Sequence, residues 1–200
     1  MTITYILEGK LYVNLTNRCP NHCDFCIRNN GSSVGDAENL WLDEEPTREQ
    51  IWEDFQKRNL SDFSEVVFCG YGEPTHRLED MLWMCSKIRE ISNIDIRVNT
   101  NGLSDLINGR PTAKDFDGLV DIISISLNAS SAEKYDEICH SDFGISAFDA
   151  VLRFTKNISM YVPRVYLSVV DRNTDPKELK NCEKICNEVG ATFRVREYIG

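Results

Sequence analysis

The sequence predicts an α/β fold, a partial (β/α)6 barrel in which a curved parallel sheet has helices on its outside. Apolar runs rich in valine and isoleucine, as buried parallel strands are, alternate with amphipathic helical patterns. Six such runs are two fewer than a closed eightfold barrel requires, so the sheet is expected to stay open on one side. The strands are predicted at residues 11–16, 65–70, 95–99, 120–126, 164–170 and 192–198.

The helices between these strands have readable starting signals. Residues 47–50 and 130–133 have the pattern of a capping box, and residues 175–178 place a proline at the first helical position. Gly190 is predicted to end the last helix. Alternating strands and helices build parallel sheets through right-handed crossovers, and we predict one domain that spans residues 1–200.

Composition and charge argue against several classes of protein. The formal net charge of −10 disfavours duplex nucleic acid as a partner, because binding it requires a surface rich in lysine and arginine. No run approaches the roughly 18 consecutive apolar residues of a membrane span, and the amino terminus lacks the pattern of an export signal. We therefore expect a cytoplasmic protein with reduced cysteines and no membrane partner.

The first predicted strand is followed by three closely spaced cysteines, Cys19, Cys23 and Cys26. Thiolates select zinc, Cu(I) or iron–sulfur clusters, and a cubane cluster normally takes four of them. Three cysteines would leave one iron free to bind another molecule. The alternatives are a disulfide framework or a structural zinc site with His22 as fourth ligand. Structural zinc sites usually pair two motifs that lie far apart in sequence, so the spacing favours the cluster.

The remaining cysteines have no such spacing. Cys85, Cys182 and Cys186 lie on apolar faces of predicted helices, where free cysteine packs as a small hydrophobic residue. Cys69 falls in a strand that is predicted to be buried. The pair Cys139–His140 ends a helix, and its role is left open by the sequence.

The turns that follow the other strands carry polar motifs, and parallel sheets bind ligands at these carboxyl ends. Residues 70–75, GYGEPT, combine a flexible glycine with a rigid proline. Asn99 and Asn101 share one face of the third strand. Ser126 and Asn128, at the end of the fourth strand, offer hydroxyl and amide groups of the kind that hydrogen-bond a ribose. Ser168 on the fifth strand, and Arg196 or Tyr198 on the sixth, face either a ligand or solvent at the open edge of the sheet.

These motifs, in this order, resemble those of the radical S-adenosylmethionine (SAM) superfamily. The runs LYVNLTNRCPNHCDFCIRN and SISLNA, with the short length, are most similar to the TatD-associated radical SAM protein family. The resemblance implies a [4Fe–4S] cluster on Cys19, Cys23 and Cys26, with SAM on the open iron. Tyr71 stands where the family's GGEP motif has its first glycine. The implied cofactor-binding residues are Phe25, Tyr71, Gly72, Glu73, Pro74, Asn99, Asn101, Ser126, Asn128 and Ser168.

The resemblance also implies a reaction. An electron from a low-potential donor of the flavodoxin or ferredoxin type would cleave SAM to methionine and a 5′-deoxyadenosyl radical. That radical would abstract hydrogen from a substrate, a peptide or a small metabolite. Two alternatives remain open: a small-molecule enzyme similar to the deazaguanine-forming synthases, and a module that binds zinc or an iron–sulfur cluster without catalysis.

Residues 28–45 form a longer connection than most, and such loops are usually functional or disordered. Within them Arg28 and Trp41 are candidates for contact with substrate or reductant. The last strand is expected to expose an apolar lining of Phe193, Val195 and Ile199 at the open side of the barrel. Either a large substrate or partner covers this opening, and residues 28–45 order when it binds, or those residues fold over it as a lid.

Overall fold

The computed structural model describes residues 1–29, 34–172 and 174–198. Within them a seven-stranded sheet has its strands in chain order, and its two edges do not pair, so the curved sheet stays open. The first two strands are antiparallel and the others run parallel to the second. The strands are β1 (Thr4–Leu7), β2 (Lys10–Val13), β3 (Glu65–Phe68), β4 (Asp95–Thr100), β5 (Ile122–Ser126), β6 (Arg164–Asp171) and β7 (Thr192–Glu197).

Helices connect the parallel strands and cover one face of the sheet. They are α1 (Arg48–Phe55), α2 (Leu78–Ile91), α3 (Ser104–Asn108), α4 (Ala132–Cys139), α5 (Ser146–Ile158) and α6 (Pro176–Glu188). Short 3-10 helices span Ile27–Asn29, Leu60–Asp62, Pro74–Arg77 and Ala113–Phe116. No helix among the described residues is long and apolar enough to cross a membrane.

The six parallel strands confirm the predicted partial barrel, but the sequence prediction missed β1. This strand joins β2 through a two-residue turn, because Leu7 pairs with Lys10. Glu8 and Gly9 have φ angles of 51° and 68°, which are the left-handed values of the tight turns that suit the twist of a hairpin. The Glu-Gly pair between two short apolar runs is the sequence signal for this hairpin.

The predicted helix starts are correct at two of three places. Thr47 forms a capping box with Gln50, and Asp175 accepts a hydrogen bond from the backbone N–H of Lys177. Gly190, with φ of 76°, follows α6 as expected. The prediction for residues 130–133 is wrong by one residue, because Ser131 caps α4 while the backbone N–H of Ser130 donates to Glu178.

The main core lies between the sheet and the helices. Val66, Phe68, Ile96 and Val98 on the outward face of the strands are buried against a row of α2 side chains. That row includes Cys85, and Cys182 and Cys186 of α6 are buried in the same core. These three cysteines therefore pack as predicted. Cys69 follows β3 and is half-buried.

The inward face of the sheet has two different halves. Around β1 to β3 it is apolar, with Ala37 and Leu40 of the long connection packed against strand side chains in a second, smaller core. Around β4 to β7 it carries polar side chains. They are Arg97, Asn99, Ser124, Ser126, Tyr166, Ser168, Arg194 and Arg196.

The expected apolar lining on the last strand is wrong. Phe193 packs against the core under the helices, so the alternation of a strand places Val195 on that outward face as well. Arg194 and Arg196 occupy the inward face instead. Ile199, the third residue of the predicted lining, lies outside the described residues.

Candidate active site

The cysteine loop begins just after β2 and lies at the carboxyl end of the parallel sheet. Cys19, Cys23 and Cys26 are free and half-buried. A turn connects the last two, since the backbone N–H of Cys26 donates to the carbonyl of Cys23 over 3.1 Å. The loop therefore presents three thiols from one short stretch of chain, at the edge of the sheet where ligands bind.

The end of α4 anchors this loop. The backbone N–H of His22 donates to the carbonyl of Cys139 over 2.9 Å, and that of Asp24 donates to the carbonyl of Ile138 over 3.1 Å. His140 contacts Asp24 through Nε2 and Oδ1, 2.9 Å apart. Carbonyls in the last turn of a helix have no partner within the helix, so the loop satisfies groups that would otherwise face solvent. The pair Cys139–His140, whose role the sequence leaves open, therefore supports the cysteine loop.

All three thiols favour the protonated form in the absence of metal. Burial raises the pKa of Cys19 to about 12, and nearby Glu73 adds to the effect. Contact with the Cys139 thiol, followed by burial, raises the pKa of Cys23, and burial raises that of Cys26. Binding of iron must therefore displace protons from these sulfurs, as is usual for thiolate ligands.

The zinc alternative lacks its proposed fourth ligand. The His22 ring is exposed, and its Nε2 lies 3.3 Å from Oδ1 of Asp142, which draws it toward the surface. Among the residues that the structure describes, no three His, Cys, Asp or Glu side chains converge as ligands of one metal ion do. A cubane cluster does not require such convergence, because each iron takes its own thiolate.

The turn after β3 packs directly on the cysteine loop. A Cβ atom on Gly72 would lie 2.2 Å from the carbonyl oxygen of Thr16, so only glycine fits at this position. The next residue, Glu73, donates its backbone N–H to the carbonyl of Arg18 over 2.8 Å. The Gly-Glu-Pro turn therefore supports the loop that carries Cys19. Pro74 starts the 3-10 helix that follows and is buried.

The Glu73 carboxylate connects this turn to the end of β4. Only 3% of the residue is exposed, and Oε1 accepts hydrogen bonds from Thr75 and from the Thr100 hydroxyl, the latter over 2.7 Å. Oε2 accepts the backbone N–H of Asn101 over 2.7 Å. Burial still raises its pKa, although these hydrogen bonds oppose that shift. The side chain holds two strand ends together beside the cysteines.

The strand ends bring other predicted residues toward the same loop. Asn101 contacts the sulfur of Cys19 through Nδ2, 3.9 Å away. Asn128, with φ of 60°, places its Nδ2 3.7 Å from the sulfur of Cys139. Its Oδ1 is buried without a hydrogen-bond partner among the described residues, and so is Oδ1 of Asn99. Both oxygens are therefore free to accept hydrogen bonds from a ligand.

Four other residues that were predicted to bind the cofactor make contacts within the protein itself. The Ser168 hydroxyl is buried and donates to the carbonyl of Ile125 over 3.3 Å, within the sheet. Ser126 accepts a hydrogen bond from Arg196 over 3.3 Å. Phe25 is half-buried against the main core. Tyr71 is buried in the second core, and burial raises its pKa.

The long connection contributes Arg28 and Trp41 near the site. Nη2 of Arg28 donates to the carbonyl of Asn21 within the cysteine loop, over 3.2 Å. Trp41 packs edge-on to Tyr71 with ring centroids 5.1 Å apart, and 41% of it remains exposed. Residues 30–33 of this connection lie outside the described residues.

The site residues fit an iron–sulfur cluster and a polar organic cofactor. Three thiols supply soft ligands, and the orphaned oxygens of Asn99 and Asn128 supply acceptors for donors of a bound molecule. A partial parallel barrel with a three-cysteine loop at its strand ends defines an enzyme of the iron–sulfur class. The family described as the Radical SAM superfamily matches residues 13–189. The chain belongs to this superfamily, whose members use a [4Fe–4S] cluster and SAM.

Solved structures of radical SAM proteins share the fold. A radical SAM methyltransferase from Sphaerobacter thermophilus is 16% identical with a TM-score of 0.60, over 98% of this chain and 69% of that one. Methylornithine synthase (PylB) is 12% identical with a TM-score of 0.67, over 95% and 53%. The protein anSMEcpe with bound AdoMet is 17% identical with a TM-score of 0.66, over 94% and 50%.

The chain therefore spans between half and about two thirds of the length of these proteins. No curated protein matches the sequence significantly.

Proposed function

We propose that this enzyme binds a [4Fe–4S] cluster through Cys19, Cys23 and Cys26 and abstracts a hydrogen atom from a substrate held inside the barrel. With one electron from a low-potential donor of the flavodoxin or ferredoxin type, the bound cluster and SAM supply methionine and a 5′-deoxyadenosyl radical. The observation that carries the proposal is the placement of three thiols on one loop between the end of α4 and the Gly-Glu-Pro turn.

The proposed role of the surrounding residues is to hold and orient SAM. The main chain of residues 71–74 and the Glu73 carboxylate would receive its amino group beside the cysteines. Asn99 and Asn128 would accept hydrogen bonds through oxygens that have no other described partner, and Ser126 lies at the end of β5, two residues before Asn128. Asn101 would position the loop at Cys19. Ser168 and Phe25 would act through the sheet and the core that they pack in.

The described part of the long connection supports exclusion of water. Ala37 and Leu40 pack inside the second core, and Asn14 donates through Nδ2 to the carbonyl of Leu40 over 2.7 Å. These contacts support a segment that packs on β1 to β3 before any substrate or partner binds, as the lid alternative requires. A reactive radical requires shielding from water and from stray hydrogen donors. A small metabolite or the end of a peptide would then enter from the polar half of the barrel.

We also propose that the chain is a member of the TatD-associated radical SAM family. The runs LYVNLTNRCPNHCDFCIRN and SISLNA support this placement, and they map to the cysteine loop and to the end of β5. The eight cysteines are free, which supports a reducing compartment such as the cytoplasm.

Anaerobic reconstitution with iron and sulfide tests the proposed reaction. The reduced protein should have broad visible absorbance and should convert SAM to methionine and 5′-deoxyadenosine, measured by liquid chromatography with mass spectrometry. Cys23→Ala should be inactive. Cys182→Ala, which removes a cysteine buried in α6, is the matched control and should remain active. A colourless protein that binds zinc and leaves SAM intact would reject the proposal.

A further inference from the structure

Two arginines side by side on β7 line the polar half of the barrel. Arg194 and Arg196 are two residues apart, so they share the inward face of the strand, opposite Phe193 in the main core. The guanidinium carbon of Arg194 lies 4.1 Å from the ring centroid of Tyr166. Nη2 of Arg196 donates to the Ser126 hydroxyl over 3.3 Å. Both side chains are half-buried and reach toward the middle of the sheet.

No described acid neutralises these two charges. The ionisable groups that face Arg196 are Arg194, Arg97 and the Cys69 thiol. Arg97 is already paired with Glu65, at 3.1 Å. Within residues 1–29, 34–172 and 174–198, neither Arg194 nor Arg196 forms an ion pair with a carboxylate. Burial, followed by the neighbouring arginines, lowers the pKa of Arg196, although the Cys69 thiol opposes that shift.

The donors of this pair are only partly used. Nε of Arg196 is buried and has no hydrogen-bond partner among the described residues. A charged group that is removed from water without a partner is destabilising, so a site of this kind gains most from an ionic ligand. The planar guanidinium offers a fork of donors that matches the two oxygens of a carboxylate or phosphate.

We propose that the substrate carries an anionic oxygen group, a carboxylate or a phosphate, which binds Arg194 and Arg196 inside the barrel. This inference rests on the proposed function and names the substrate class. Four strands separate β7 from β2, whose end carries the cysteine loop. The open iron at that loop would take the amino and carboxylate groups of SAM, which leaves the arginines available to an anionic group of the substrate. Because Arg196 reaches Ser126, this anionic group would bind beside the proposed cofactor residues.

The test measures anion binding to the reconstituted full chain, saturated with SAM, by isothermal titration calorimetry. Inorganic phosphate and succinate are the probes, one for each anion. Arg196→Met and Arg194→Met should each weaken binding of the preferred probe roughly tenfold or more, because each removes charge-assisted hydrogen bonds. The matched control is Arg164→Met, which lies at the other end of the neighbouring strand and pairs with Asp95. It should bind the probe as the wild type does.

Three results would overturn the proposal. The first is a wild type that binds neither probe. The second is an Arg164→Met variant whose affinity for the probe falls as much as that of the Arg194 and Arg196 variants, which would indicate that surface charge alone attracts the anion. The third is a matching loss of SAM affinity in Arg196→Met and Arg194→Met, which would assign the arginines to the cofactor. Iron content, thermal unfolding and SAM cleavage are measured separately for every variant. A wild type that does not cleave SAM would reject the proposed function, whereas a wild type that cleaves SAM but binds neither probe would reject only the anion site.

Discussion

Cys139, the last residue of α4, lies against Cys23 in the middle of the cysteine loop. Their thiols are in contact, and the backbone of the loop donates hydrogen bonds to Cys139 and to the residue before it. Asn128 contacts the sulfur of Cys139 from the other side, at 3.7 Å. A fourth thiol therefore lies next to the three proposed ligands, and the end of β5 reaches the cluster site through it.

The position of Cys139 predicts an effect on the cluster's reduction potential. Cys139→Ala should retain iron but lower the potential, because hydrogen bonds to ligand sulfurs favour the reduced cluster. One hydrogen bond of ordinary strength corresponds to roughly 20–65 mV for a one-electron couple, with a thiol donor toward the lower end. A redox titration followed by electron paramagnetic resonance measures this shift, with Cys182→Ala as control. Complete loss of iron in Cys139→Ala would show instead that Cys139 is a ligand.

The cysteine assignment predicts a sharp division among the cysteine variants. Cys19→Ala, Cys23→Ala and Cys26→Ala should each abolish cluster assembly, because each would remove the only thiolate of one iron. Cys85→Ala and Cys182→Ala should retain the cluster, since both sulfurs pack in the core under the helices. Iron content and visible absorbance after anaerobic reconstitution measure this. If Cys182→Ala lost iron as completely as Cys23→Ala, the ligand assignment would be wrong.

The close approach of Gly72 to the cysteine loop predicts a selective defect. Gly72→Ala should displace the loop and reduce cluster assembly, because its Cβ would lie 2.2 Å from a carbonyl oxygen of the backbone. Gly109→Ala is the control, since nothing lies within 4 Å of its Cβ and only its positive φ is unfavourable. That control should lower the free energy of unfolding by about 1–3 kcal/mol and keep its iron. Equal iron content in the two variants would contradict the expectation.

Cofactor binding should depend on Glu73 and Asn128 without affecting the iron. We expect Glu73→Gln to weaken SAM binding about ten- to a hundredfold, because it would lose a charge-assisted hydrogen bond of roughly 1.5–3 kcal/mol. Asn128→Ala should weaken it about two- to tenfold, because its neutral hydrogen bond contributes roughly 0.5–1.5 kcal/mol. Glu73→Gln is preferable to alanine because it keeps one acceptor oxygen for these buried donors, whereas alanine would leave the donors of both Thr100 and Asn101 without an acceptor. Equilibrium dialysis measures the affinity, and Glu79→Gln on the surface is the control. Unchanged affinity in both variants would remove these residues from the cofactor site.

The sequence predicted what depends on local pattern and missed what depends on distant contacts. Runs of valine and isoleucine identified the parallel strands, and caps such as Thr47 identified helix starts. The docking of Cys139 on Cys23 joins residues 116 positions apart, so no local period encodes it. On β7, alternation separates Phe193 from Arg194, but only the packing of α6 determines which of the two faces the barrel.

The last prediction concerns the connection between β2 and α1, whose residues 34–45 pack on the chain itself. The backbone N–H of Asp36 donates to the carbonyl of Ile6 over 3.0 Å, and that of Leu42 donates to Asn17 over 3.0 Å. Hydrogen exchange should therefore show both amides protected in the SAM-bound protein before any substrate is added. Leu40→Ala should increase their exchange, because truncation of this buried side chain removes about 2–5 kcal/mol of packing. Trp41→Ala, at a more exposed position, is the matched control and should increase the exchange of these two amides less. Rapid exchange of both amides until a large substrate or partner is added would instead support an external cover over the barrel.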